Sequence, residues 1–319
     1  MQLSLFDGSQ QFKIDKPIRL IELFAGIGSQ AKALKNIGAN FEHYRICEFD
    51  KYAVASYNAV HGTNFETSDI TKITADDLGI VDTDKYTYLL TYSFPCQNLS
   101  TAGNQKGLVE GTRSGLLWEV KRLLTECKQL PQVLVMENVK QVMSSKNLPY
   151  FSKFIKFLDE LGYKSEWQFL KACDYGIPQN RERCFMVSVL GDYYYTFPKP
   201  KDYMTPLKSL LEIGVEEDWY YRICPSMIKA IQEGKCEILT NKEIAPTVTC
   251  KIDRWNNAGF VVDKKGLRYA TPKECWRIMG FTDEDFEKAK KVNKRHELYK
   301  QAGNSIVVQV LENIFKEML

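Results

Sequence analysis

Cys96 stands in Ser93-Phe94-Pro95-Cys96-Gln97, just past an apolar run from Tyr86 to Tyr92. A thiol there suits a nucleophile, because sulfur is soft and partly ionised near neutral pH. Pro95 fixes φ and removes a donor, which stiffens the turn presenting the thiol. Alone, Cys96 would be one more small buried residue, the usual fate of a free cysteine. A second apolar run ends in Glu137-Asn138-Val139, and a carboxylate in such a place is costly unless it is paired or used. Arg181 and Arg183 stand two apart in Gln179-Asn180-Arg181-Glu182-Arg183, on one side of an extended segment. By itself such a run makes surface salt bridges. Gly26-x-Gly28-x-x-Ala31 has the form of a dinucleotide fingerprint, with Glu48 about 20 residues on to hold ribose hydroxyls. Phe24 and Phe49 add two aromatic faces for an adenine-bearing ligand. Gln301-Ala302-Gly303-Asn304-Ser305 precedes a last helix, and Ser305 reads as a cap for it.

These residues need strand ends to hold them, and the sequence supplies strands. Ile18 to Phe24 reads as a first strand, followed by a glycine turn and a helix towards Ile37 with Gly38 as its cap. Tyr44 to Cys47 is a second strand, Lys51 to His61 a helix, and Asp69-Ile70 closes a short third element. Tyr86 to Tyr92 is the fourth, Leu116 to Leu130 has helical period, and Gln132 to Met136 is the fifth strand. Tyr150 to Leu161 is helical; Trp167 to Leu170 and Cys184 to Leu190 are two more strands. Alternation at this spacing argues a doubly wound α/β fold with a mostly parallel sheet. Its strand ends are where ligands bind. Past Gly191 the pattern breaks, and a smaller domain is expected, joined through Pro198-Lys199-Pro200. Thr271-Pro272 starts a helix with proline in its first turn. The expected division is a loose tail over residues 1–17, a catalytic and cofactor-binding domain over 18–192, a second domain and hinge over 193–300, and a returning helix over 301–319.

The 319 residues carry a formal charge of +3, which neither requires nor excludes a nucleic-acid partner. Nine cysteines are scattered without a Cys-x-x-Cys pair. That pattern fits a reducing cytosol rather than a disulfide framework or a structural zinc site. Three histidines in no ligand spacing make histidine-based metal catalysis unsuitable, so no metal is expected. No apolar stretch is long enough to span a membrane and no signal peptide is present, so a cytoplasmic protein without a membrane partner is expected.

In this order, Phe24-Ala25-Gly26-x-Gly28, Pro95-Cys96-Gln97, Glu137-Asn138-Val139, Gln179-x-Arg181-x-Arg183 and Arg268 to Gly280 with Gly303-Asn304-Ser305 resemble the cytosine-5 DNA methyltransferase family. The resemblance runs from Arg19 to Phe315. It is weakest between Gly191 and Leu239, where such enzymes carry their target-reading region. It implies a class I S-adenosylmethionine-dependent methyltransferase fold with a smaller target-recognition domain, compact like a bacterial or phage modification enzyme and monomeric. It also implies that Cys96 adds to C6 of a flipped-out cytosine, that Glu137 supplies or shares a proton at N3, and that Arg183 orients the ring while Arg181 supports Glu137. The cofactor contacts it implies are Phe24, Gly26, Gly28, Glu48, Phe49, Asp69, Ile70, Pro95, Leu117, Asn304 and Ser305. Phe49 stands where many relatives carry tryptophan.

Double-stranded DNA is the implied partner. Gln97, Ser100, Thr247, Lys251, Arg254, Asn256 and Asn257 are the expected contacts, since arginine reads guanine edges and asparagine adenine edges. Lys288, Lys290, Lys291, Lys294 and Arg295 are assigned to phosphate. Gln2-Leu3-Ser4-Leu5-Phe6 resembles the short peptide by which bacterial partners enter the replication sliding clamp. Transfer-RNA cytosine-5 methyltransferases on the same fold also resemble the chain, but the Cys-Phe-Thr element they usually carry is absent. A non-catalytic DNA-binding protein is the reading from another class, and the intact Cys96, Glu137, Arg181 and Arg183 argue against it. A nicotinamide-dependent oxidoreductase is supported by the glycine turn alone.

Overall fold

The computed structural model describes residues 10–95, 113–252 and 259–319. Cys96, Gln97, Ser100, Arg254, Asn256, Asn257 and the peptide Gln2-Leu3-Ser4-Leu5-Phe6 lie outside the described residues. The large sheet has six strands: β1 (Ile18–Leu23), β2 (Phe41–Cys47), β3 (Thr87–Tyr92), β4 (Val133–Val139), β5 (Tyr163–Lys171) and β6 (Glu182–Leu190), in the order β2-β1-β3-β4-β6-β5. β1, β2, β3 and β4 pair in parallel, whereas β6 runs against both β4 and β5. β3 and β4 are buried at every position, as continuous apolar runs covered on both faces must be. Helices α1 (Ser29–Asn36) and α2 (Lys51–His61) lie on one face and α3 (Leu117–Glu126) and α4 (Leu148–Glu160) on the other.

Strand order reverses between β1 and β3, so a crevice opens beyond their carboxyl ends. Because β6 is antiparallel, its beginning lies at the same edge as the end of β4, with Val139 opposite Arg183 and Glu137 opposite Phe185. Alternation along β6 then places Arg183 on the same face as Glu137.

The smaller region holds helix α5 (Pro225–Gln232) and a three-stranded sheet of β7 (Glu237–Ile238), β8 (Gly259–Asp263) and β9 (Gly266–Tyr269). Three helices follow, α6 (Pro272–Ile278), α7 (Asp283–Val292) and α8 (Arg295–Asn304). The sequence reading grouped them with the smaller region, yet α7 and α8 are fastened to α1 and α2. Lys32 Nζ and Asp285 form a buried pair at 2.7 Å. The Asn293 amide donates to Tyr52 O and Ser56 Oγ, both at 2.8 Å, and Ser56 donates to Gln301 at 2.9 Å. The last helix, α9 (Val308–Lys316), packs against α1. The chain's two arms also meet: Ile14 N–H donates to Met318 O at 2.7 Å and Lys13 Nζ to Leu319 O at 2.9 Å.

Two expectations need correction. Asp69-Ile70 forms no strand: the Asp69 carboxylate accepts from Thr71 N–H and Oγ1 at 3.0 and 2.8 Å, a local side-chain turn that competes with extended backbone. Ser305 does not cap the last helix. It is the C-cap of α8 and donates to Ala302 O at 2.8 Å, while Val307 precedes α9.

Candidate active site

Two clusters share the carboxyl edge of the sheet. The first is the turn after β1. Phe24, Gly26 and Gly28 have φ of 59°, 56° and 78°, and Phe24 is the only non-glycine residue with positive φ among those described. Strain of that kind persists only where neighbours hold it. Here Phe24 N–H and Ala25 N–H donate to Cys47 O at 2.7 and 3.3 Å, and Gly26 N–H donates to Glu48 Oε2 at 2.9 Å. Glu48 Oε1 accepts from Asp50 N–H at 2.8 Å. Burial pushes the Glu48 pKa up, against the pull of those two N–H groups. Each Glu48 oxygen keeps a further lone pair for an outside donor. Phe49, beside it, is 78% exposed, an unusual state for a phenylalanine ring in a folded protein. Asp50 caps α2 by accepting from Tyr52 N–H and is paired to Lys300 at 2.6 Å.

Ser68 N–H donates to Glu48 O at 2.9 Å, which lays Asp69 alongside the same crevice. Hydrogen bonds from Thr71 lower the Asp69 pKa. Ile70 is nearly buried, Asn304 is exposed and Ser305 is buried. Leu117 departs from expectation: at 0% exposure it lies wholly in the core and offers a ligand no side-chain surface.

The second cluster lies between β3, β4 and β6. Glu137 is 9% exposed, and Arg183 Nε approaches its Oε1 at 3.2 Å. Burial raises the Glu137 pKa, opposed by Arg183 and Arg181. Asn138 turns the other way and donates to Phe94 O at 2.8 Å. That bond fixes the turn carrying Pro95 to the end of β4.

Arg181, expected to support Glu137, acts on it electrostatically, while its hydrogen bonds run to backbone carbonyls. Its Nη1 donates to Val248 O at 2.9 Å and its Nη2 to Gly303 O and Ser305 O at 3.2 and 2.9 Å. It therefore joins three distant segments. Gln179 does the same, donating to Ile278 O at 2.9 Å and accepting from Val248 N–H at 3.0 Å. Thr247 Oγ1 donates to Asn180 O at 2.6 Å. The strap 245–250 is thus tied to 178–181 on one side and seated on the end of α8 on the other. A Cβ on Gly303 would lie 2.1 Å from the Cys250 nitrogen, so only glycine admits this approach. Lys251, next in the chain, is exposed.

Part of the basic run is already engaged within the protein. Lys288 pairs with Glu284 at 2.7 Å, and Arg295 stacks 3.6 Å over the Trp219 ring. Lys290 faces a cleft of about 570 Å³ lined by Glu212, Glu216, Glu217 and Glu287 and also by Lys273 and Arg295. The structural roles of Asn138, Gln179 and Gly303 were not foreseen. Their signal was membership of the motifs themselves, because a motif residue without a chemical role has to be holding something. Among the described residues there is no cluster of His, Cys, Asp or Glu able to hold a metal ion, and no helix is long and apolar enough to cross a membrane.

A family model described as C-5 cytosine-specific DNA methylase matches residues 18–224 and 215–319. The Type II methyltransferase M2.ScrFI of Lactococcus lactis subsp. cremoris is 34% identical over 357 residues, covering 94% of this chain and 99% of that protein. The Type II methyltransferase M.NlaX of Neisseria lactamica is 32% identical, covering 94% and 96%. In fold, the chain superposes on the crystal structure of S. pombe Dnmt2 methyltransferase with a TM-score of 0.75 at 21% identity, covering 93% of this chain and 97% of that one.

Proposed function

The chain belongs to the family of C-5 cytosine-specific DNA methylases, and from that premise we propose that its reaction centre is assembled from Cys96, Glu137 and Arg183. It is an S-adenosylmethionine-dependent enzyme that methylates cytosine at C5 in DNA. The observation that carries the residue assignment is the Glu137–Arg183 pair, buried at the end of β4 and 3.2 Å across. The same strand end anchors the turn leading to Cys96 through Asn138.

The residues after β1 and β2 fit the cofactor. The left-handed turn gives close backbone access at Gly26, Glu48 keeps lone pairs for ribose hydroxyls, and Phe49 offers an exposed ring for the adenine. Asp69 and Asn304 extend this cradle. When bound, S-adenosylmethionine supplies an electrophilic methyl group.

Cytosine C5 is a poor nucleophile until something adds at C6. In this reading the Cys96 thiolate makes the C6–S bond on a base extruded from the duplex. Glu137 holds a proton at N3 as charge develops on the ring, and its burial favours the protonated form needed there. Arg183 orients Glu137 and favours the thiolate. The activated C5 would take the methyl group, leaving S-adenosylhomocysteine; a base or water then removes the C5 proton, the N3 proton returns to Glu137, and the C6–S bond breaks to restore Cys96. Arg181 acts as a positioning residue, holding the strap that carries Thr247 and leads to Lys251. Those two, with Gln97, Ser100, Arg254, Asn256 and Asn257, are the proposed DNA contacts. We place the enzyme in the cytoplasm, acting as a monomer.

The test is Cys96→Ser, which should abolish methylation of duplex DNA while cofactor and DNA binding persist. DNA bearing 5-fluorocytosine at the target should trap a covalent adduct with the wild-type protein. A serine variant retaining more than about a hundredth of the rate would overturn the assignment. Preferred methylation of transfer RNA over duplex DNA would instead establish the RNA-directed alternative.

The peptide Gln2-Leu3-Ser4-Leu5-Phe6 is proposed to dock in the sliding clamp, its apolar anchors filling a groove and the Gln2 amide making a polar contact. Titration of purified clamp with the protein and with Leu5→Ala/Phe6→Ala tests this. No binding at tens of micromolar, about −6 kcal/mol, would dispose of it.

A further inference from the structure

Beneath the glycine turn lies a buried chain of ionisable groups that the reaction does not use. Glu22, on β1, is 0% exposed. Its Oε2 accepts from the Tyr57 hydroxyl at 2.5 Å and its Oε1 from Ala31 N–H at 3.4 Å. Ala31 lies in the first turn of α1, whose N-cap is Gly28, a residue without a capping side chain. Glu22 therefore supplies from inside the core the acceptor that a capping side chain would supply from the end. The Tyr57 oxygen also meets His43 Nδ1 at 2.9 Å. His61 Nε2 donates to Ile27 O at 3.1 Å, and a Cβ on Gly28 would lie 2.3 Å from that nitrogen. The inner side of the turn at Ile27 and Gly28 thus rests on the α2 side chains Tyr57 and His61, and Tyr57 ties them to Glu22 on β1.

The single hydroxyl proton of Tyr57 permits two arrangements. With Glu22 ionised, Tyr57 donates to the carboxylate and His43 Nδ1 carries its own proton towards the Tyr57 oxygen. With Glu22 protonated, the carboxyl donates to Tyr57, whose proton then turns to a bare Nδ1. In the second arrangement Ala31 N–H faces a neutral carboxyl oxygen, a weaker acceptor than a carboxylate.

We propose that Glu22 is a positioning residue for the cofactor: its carboxylate, supported by Tyr57 and His43, holds the Phe24–Gly28 turn and the start of α1 in the shape that receives S-adenosylmethionine. This rests on the reading that the cofactor lies at that turn. Burial pushes the Glu22 carboxyl up to about 7, against the opposing pull of Tyr57 and Ala31. The groups facing it are Tyr57, raised by burial, His43, lowered by burial and by Lys35, and beyond them His61, lowered to about 3. The Lys32–Asp285 pair lies past His61.

The experiment titrates the full-length protein with S-adenosylhomocysteine by calorimetry between pH 6 and 8, for wild type, Glu22→Gln, Tyr57→Phe and Glu48→Gln. The ligand's own titration cancels in the ratio of wild-type to variant affinity. That ratio should be about tenfold for Glu22→Gln at pH 8 and shrink to less than about threefold at pH 6, where the wild-type carboxyl is mostly protonated. Tyr57→Phe should move the wild-type midpoint to higher pH, because the carboxylate loses a donor. A loss in Glu22→Gln that does not change with pH, or wild-type affinity in that variant while Glu48→Gln binds weakly, would overturn the role of Glu22. Unaltered binding in both glutamine variants would instead remove the cofactor from the turn. Should Glu22→Gln fail to fold, the Tyr57→Phe midpoint decides: an unshifted midpoint overturns the proposal.

Discussion

Replacing Glu137 by glutamine keeps the side chain's shape and removes the group able to carry a proton. Turnover should fall by about a hundredfold or more, with DNA and cofactor affinity within about threefold; single-turnover rates and binding titrations check both. The same change has a stability consequence of fixed sign. Burial raises the Glu137 pKa in the folded state, so the wild type loses stability as pH rises through that pKa, and the glutamine variant does not. Glu22 obeys the same rule. Raised from its ordinary value to about 7, it costs the wild type on the order of 3 kcal/mol above that pH. Thermal melts of Glu22→Gln should therefore gain on the wild type between pH 5 and 8, while its cofactor affinity falls. Glu137, Arg183 and Glu48 could be proposed from the sequence because the chemistry expected of them demands their residue type. The hydrogen bonds of Arg181 were not legible. Its partners are the carbonyls of Val248, Gly303 and Ser305, and a backbone acceptor leaves no mark on sequence.

At the scale of elements, the strands could be read because their apolar runs are continuous, and β3 and β4 fell where expected. Helix α8 was not foreseen. Its residues Arg295 to Asn304 are rich in charge, and what holds them is Lys300 against Asp50 and Arg295 over Trp219, pairings made across the fold. Gly303 at its end governs how the strap seats. A methyl group there would strike the Cys250 nitrogen and the Thr249 carbonyl carbon, at 2.1 and 2.2 Å, and backbone cannot rotate away as a side chain can. Gly303→Ala should destabilise by about 2 kcal/mol or more. It should also weaken DNA binding more than cofactor binding, because the strap leads to the proposed DNA contacts. Denaturant melts and paired titrations measure this; equal loss for both ligands would mean that the strap serves the whole cleft.

At the scale of the molecule, two regions meet along the line where Gln179, Arg181 and the strap interlock. Alanine at Arg254, Asn256 and Asn257 should change which sequence is methylated in a pooled-duplex assay, with cofactor affinity kept within about twofold. An unchanged site preference would move the reading residues to between Tyr193 and Glu237. The division of the chain was the least legible feature, since α7 and α8 follow the smaller region in sequence and fasten to the larger one in space. The contact between Ile14 and Met318 has a further consequence. The backbone is nearly a closed ring, and the order in which the motifs are met depends on where that ring is cut. A circular permutant joining Leu319 to Lys13 by a short linker, and opened at the exposed Gly191–Asp192, should fold to the same cleft and methylate the same sites. In it the glycine turn and Cys96 would follow Gly303-Asn304-Ser305, so linear motif order is a weaker guide to this architecture than the ring itself.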